Sequence, residues 1–123
     1  MRRLVILLSA LAIATPAAAD MSMSFDWGPT KKCDSKSPPI SVKGVPDGTA
    51  RLQFSMTDLN VPDFRHGGGT VDYSGQKSIP YGAFRYKGPC PPSGKHKYRI
   101  TVKALDAKKK TLATAAATQS FPK

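Results

Sequence analysis

Hydrophobic and polar residues alternate along much of this chain. Between Arg51 and Thr57, Leu52, Phe54 and Met56 fall on one side and Gln53 and Ser55 on the other. Tyr98, Ile100, Val102 and Ala104 alternate in the same way with Arg99, Thr101 and Lys103, in a strand running to Leu105. A period of two marks a half-buried β-strand. Leu112 to Thr118 reads as a further strand of small residues, entered through a turn at Lys108-Lys109-Lys110. Shorter strands are expected at Met23–Trp27, Ile40–Lys43, Gly69–Ser74 and Ala83–Tyr86. Pro, Gly and Ser cluster in loops at 34–39, 62–69 and 88–94. No long stretch repeats its apolar residues at helical spacing. Short strands separated in this way predict an all-β sandwich.

The first nineteen residues break the pattern. Arg2 and Arg3 precede an apolar run from Leu4 to Ile13, Pro16 ends it, and Ala17-Ala18-Ala19 offers small residues for cleavage. This is the form of a secretory signal peptide. The expected organisation is a signal peptide at 1–19 and a single domain at 20–123, periplasmic or secreted, with no transmembrane segment after cleavage. In an oxidising compartment Cys33 and Cys90, the only two cysteines, are expected to form a disulfide. Free thiols or a metal site are the alternatives, and the lack of a C-x-x-C pair argues against metal.

Charge then narrows the partners. The chain holds 19 Lys and Arg against 8 acids, and its net charge of +11 becomes +9 once Arg2 and Arg3 leave with the signal peptide. All of the acids are Asp. A basic surface attracts an anionic small molecule, a phospholipid headgroup, an acidic protein or an envelope polymer. The Lys and Arg are spread along the chain, which equally suits a solvated coat and disfavours nucleic acid. There is no paired Glu/Asp site, no nucleophile–base spacing and no phosphate-loop glycine motif, so an enzyme is not expected.

Few residues remain that carry chemistry. His96 and Tyr98 are two apart and share the inward face of their strand. They are either the polar lining of a pocket or, respectively, an exposed turn residue and ordinary core. Asp58 ends the preceding strand, either as a turn former or as a partner for a histidine or ligand. His66 stands before Gly67-Gly68-Gly69, whose backbone N–H groups would form an anion nest. Met21, Met23 and Met56 with the two histidines are a weaker soft-metal reading, so neither a metal nor a cofactor is expected.

Two longer segments resemble a known family. Ser37-Pro38-Pro39-Ile40-Ser41-Val42-Lys43-Gly44-Val45-Pro46-Asp47-Gly48-Thr49 is similar to S-P-P-L-S-W-x-G-V-P-x-G-T. Asp58-Leu59-Asn60-Val61-Pro62 stands where D-P-D-A-P follows. The run from Lys87 through Cys90, Gly94 and His96 to Asp106 is similar to G-G-P-C-P-P-x-G-x-H-R-Y-x-F-T-V-x-A-L-D. These are signatures of the phosphatidylethanolamine-binding protein family, in its bacterial Raf-kinase-inhibitor-like branch. Asn60 and Gly67 depart from the family's Asp and Trp, and the tail resembles that of a shortened member whose C-terminal helices are missing.

The resemblance implies a small Greek-key β-sandwich with an anion pocket at one end. Carried over, its ligand-binding residues are Asp58, His66, His96 and Tyr98, with Gly88 and Pro92 in the neighbouring loop. Together with the expected leader and the lack of an enzymatic motif, this leads to the expectation of an exported, non-enzymatic binding protein for a phosphate or phospholipid-headgroup-like group. The alternative is a basic interaction module that docks on an acidic protein or envelope polymer.

Overall fold

The computed structural model describes residues 5–10 and 20–123. The expected leader lies outside the described residues apart from 5–10, which form neither helix nor strand. Seven strands follow: β1 Ser22–Phe25, β2 Ile40–Lys43, β3 Arg51–Asp58, β4 Gly68–Asp72, β5 Ser78–Ile79, β6 His96–Leu105 and β7 Thr111–Phe121. They form a three-stranded sheet, β1-β2-β5, and a four-stranded sheet, β4-β3-β6-β7. Every pairing is antiparallel. No helix occurs among the described residues, so the fold is all-β.

The alternation in the sequence decides what lies between the sheets. Leu52, Phe54 and Met56 of β3 and Tyr98, Ile100, Val102 and Ala104 of β6 are buried from the larger sheet. Phe25, Ile40, Val42 and Ile79 are buried from the smaller one. Trp27, just after β1, closes one end. Its ring meets Phe25, Tyr98 and Phe121 edge-on, and its Nε1 donates to Ser120 O at 2.7 Å. Met21 and Met56 are buried in this core, which gives them a packing role rather than a place in a metal cluster.

Several expected bounds differ: β1 spans Ser22–Phe25 rather than Met23–Trp27, β3 runs on to Asp58, β4 spans Gly68–Asp72 rather than Gly69–Ser74, and β5 is an additional strand. β6 begins at His96 rather than Tyr98, and β7 continues past Thr118 to Phe121. The expected strand at Ala83–Tyr86 is only a bridge between Lys36 and Arg85. Phe84 and Tyr86 are buried in alternation, and Ser37 N donates to Phe84 O while Tyr86 N donates to Ser35 O. The partner chain then reaches Pro38 and Pro39, which have no N–H to continue a ladder.

Cys33 and Cys90 are joined by a disulfide, with Cα atoms 4.5 Å apart and a sequence separation of 57. It ties the segment after Trp27 to the loop before β6, where Cys33 N also donates to Pro89 O at 2.8 Å. Gly88 lies so close to the Asp34 carbonyl oxygen that a Cβ has no room. We predict that the Cys33→Ser/Cys90→Ser chain loses about 4 kcal/mol of stability, the chain-entropy value for a loop of this length. Urea unfolding of oxidised protein and variant measures the difference, and equal midpoints refute a stabilising crosslink.

Candidate functional site

The central pairing of the larger sheet assembles a polar cluster at one end. Asp58, the last residue of β3, stands opposite Tyr98 of β6. His96 lies one pleat further on, on the same face. The chain leaves β3 through a turn that Asp58 itself caps: its Oδ1 accepts from Asn60 N at 2.9 Å and Val61 N at 3.2 Å. Asn60 Oδ1 in turn accepts from Lys97 N at 2.9 Å, fixing the turn to the start of β6. The loop then brings His66 back against Tyr98.

These residues line a cleft of about 260 Å³. Asp58, His66, Pro92, His96 and Tyr98 all border it, together with Val61, Phe64 and Cys90. Gly88 does not; its place is the close crossing with Asp34. Val61 and Phe64 had no signal in the alternating pattern because they stand in a loop. Their one clue is that large apolar residues recur at Leu59, Val61 and Phe64 and remain exposed. Gly68 and Gly69 do not form an anion nest. They are β4 residues opposite Ser55 and Phe54, and Gly69 packs against the Phe84 ring.

Both imidazoles are held by one nitrogen. His96 Nδ1 lies 2.7 Å from Asp58 Oδ2, and His66 Nδ1 lies 2.6 Å from Lys87 O. A carboxylate and a carbonyl only accept, so each Nδ1 carries the proton and each Nε2 is left for other partners. Each Nε2 accepts when its ring is neutral and donates when the ring is charged. Tyr98 lies between them: His66 meets its ring edge-on at 5.5 Å, and His96 lies nearly parallel at 6.3 Å.

Burial sets the charges. Burial pushes the Asp58 carboxyl up, but the hydrogen bonds from His96, Asn60 and Val61 outweigh it and hold the group below its ordinary 3.8. The Tyr98 hydroxyl is pushed up to about 12, first by burial and then by the Asp58 carboxylate. It is therefore a neutral donor at physiological pH. Its oxygen is buried and makes no well-formed hydrogen bond among the described residues, with the Asp58 carboxylate and the Cys90 backbone as its nearest polar neighbours. Leaving such a group unpaired costs about 1–3 kcal/mol. When the imidazoles are charged, their Nε2–H groups and this hydroxyl together, on apolar walls, suit an oxygen anion.

Residues 68–122 match the family described as phosphatidylethanolamine-binding protein. The fold of the chain is shared with a phosphatidylethanolamine-binding protein homologue from Chlamydia trachomatis at 19% identity and a TM-score of 0.64, over 85% of this chain and 98% of that one. YbcL of E. coli, described as a new member of the mammalian family, gives 17% identity and a TM-score of 0.62, over 84% of this chain and 98% of that one. No curated protein matches the sequence.

The depressed Asp58 carboxyl has a consequence for stability. A folded pKa below the unfolded one stabilises the fold above the unfolded value, and that contribution is lost as pH falls through the folded value. We predict that Asp58→Asn is less stable than the parent at neutral pH and that the gap narrows in acid, below the ordinary 3.8. Urea midpoints measured from neutrality into acid test this, and a constant gap refutes it.

Proposed function

We propose that this chain is an exported, non-enzymatic binding protein whose cleft takes a small oxygen anion such as phosphate or a phospholipid headgroup. The observation that carries the reading is the buried Tyr98 hydroxyl, without a well-formed hydrogen bond among the described residues, between two imidazoles whose Nδ1 atoms are already engaged. Asp58 is a positioning group. Its oxygens are taken up by His96 and two backbone N–H groups, which leaves it poorly suited to act as a base. Val61, Phe64 and Pro92 supply apolar walls on which a few polar groups set the orientation of a ligand. Export, cleavage after Ala19 and kinship with the Raf-kinase-inhibitor-like branch belong to the same proposal.

A second reading rests on a different surface. Lys97, Arg99 and Lys103 project from the solvent face of β6, where an acidic protein or envelope polymer would dock by charge. Calorimetric titration with inorganic phosphate and with phosphoethanolamine separates the two. We expect His96→Ala and Tyr98→Phe to weaken binding by about tenfold or more, as loss of a charge-assisted or buried hydrogen bond implies. Lys108→Gln should leave binding intact. Tyr98→Phe should also be at least as stable as the parent, since it removes a buried hydroxyl that makes no well-formed hydrogen bond among the described residues. Binding that survives His96→Ala and Tyr98→Phe but fades steeply with salt overturns the cleft in favour of the basic face.

A further inference from the structure

Strand β7 lies at the margin of the larger sheet; among the described residues β6 is its only hydrogen-bonded neighbour, while β1 of the smaller sheet packs against it. Two hydrogen bonds fix which of its backbone groups face outward. Lys97 O accepts from Leu59 N at 2.8 Å, on the β3 side. Ser120, opposite Lys97, turns its carbonyl to Trp27 Nε1 instead. Lys97 and Ser120 are therefore a non-hydrogen-bonded pair. The alternation of an antiparallel ladder repeats this at every second residue, at Arg99–Thr118, Thr101–Ala116 and Lys103–Thr114. The N–H and C=O groups of Thr114, Ala116 and Thr118 thus point away from β6. All three residues are exposed.

This edge carries none of the residue types that usually protect one. From Thr111 to Phe121 it holds no charge, no Pro and no Gly. Monomeric proteins normally blunt a long edge with such residues, or keep it short. The other outer strands, β1, β4 and β5, are short.

We propose that this edge pairs antiparallel with the same edge of a second copy, about a two-fold axis at Ala116. Residues 114–118 read Thr-Ala-Ala-Ala-Thr, the same in both directions. Two-fold pairing is self-complementary by construction. It sets Ala116 opposite the partner's Ala116 and Thr114 opposite the partner's Thr118. The three residues with outward backbone groups then all fall in hydrogen-bonding positions. Facing threonines are a favourable cross-strand pair. Half-buried Ala115 and Ala117 meet on the inner side, where β1 already packs against β7.

The limits of the open edge match the palindrome. Beyond Thr118, Trp27 already occupies the Ser120 carbonyl. Before Thr114, the register shifts where Ala104 and Leu105 face Ala113 and Thr111. The joined sheet would bring Arg99 and Lys103 of both copies onto one face. Their repulsion is screened by salt, so association strengthens as ionic strength rises. This surface is separate from the cleft and does not depend on the ligand.

Sedimentation equilibrium of the exported chain, at low and high salt, tests the proposal. We expect a mass of twice the chain, favoured by salt. Ala116→Pro removes an outward N–H that β6 does not use, so it should fold and sediment at the mass of one chain. Thr114→Lys/Thr118→Lys should do the same by opposing like charges across the axis. Thr114→Glu/Thr118→Lys opposes unlike charges and should restore the doubled mass. A chain that stays monomeric at every concentration and salt level overturns the proposal. So does a dimer unchanged by Ala116→Pro and by the two-lysine variant, or one that the charge-reversed variant fails to restore.

Discussion

The register of β6 against β3 is the constraint from which the rest follows. Asp58 stands opposite Tyr98, and Arg51 opposite Leu105. A slip of one residue would turn Tyr98, Ile100 and Val102 to solvent and Arg99 and Lys103 to the core. The same slip would carry His96 away from the Asp58 carboxylate. Core and cleft are thus specified by one set of pairings, because both use the inward face of β6. The fully buried Tyr98 belongs to both: its ring packs against Trp27 while it lines the cleft.

Loops complete what the sheet begins. Asp58 caps the turn that leads away from β3, so a single carboxylate orients His96 and shapes the segment bearing Val61, Phe64 and His66. Lys87 and His66 hold each other through two contacts, Lys87 N to His66 O at 2.8 Å and His66 Nδ1 to Lys87 O. The disulfide and the tight crossing at Gly88 anchor the opposite wall. The cleft therefore sits on a rigid strand end and on loops fastened at several points, which limits the ordering cost of binding.

Much of the sheet was legible in the residues. The alternations at Leu52–Phe54–Met56 and Tyr98–Ile100–Val102 carry their own register of inside and outside. Phe84 and Tyr86 show where this fails. Their alternation is equally clear, yet the neighbouring prolines deny them a ladder, and burial without pairing is not a strand. Gly67-Gly68-Gly69 misled in the opposite direction. A triple glycine reads as a loop, whereas Gly68 and Gly69 are β4 residues, with Gly69 against the Phe84 ring and Gly68 against the Phe54 backbone.

By itself the sequence determined the strands with strict alternation, their inward faces and the charge, each a local property set by periodicity or by the chemistry of a side chain. The candidate set of two histidines, an aspartate and a tyrosine came from the resemblance of two segments to a known family. Only the tertiary structure decided that Asp58 Oδ2 meets His96, that His66 is fastened to Lys87, that Val61 and Phe64 wall the cleft and that Gly88 stands apart from it. Those contacts join residues far apart in the chain, and their geometry depends on how two sheets and three loops close together. The free edge of β7 is of the same kind, since whether a strand has one neighbour or two is a property of the assembled sheet.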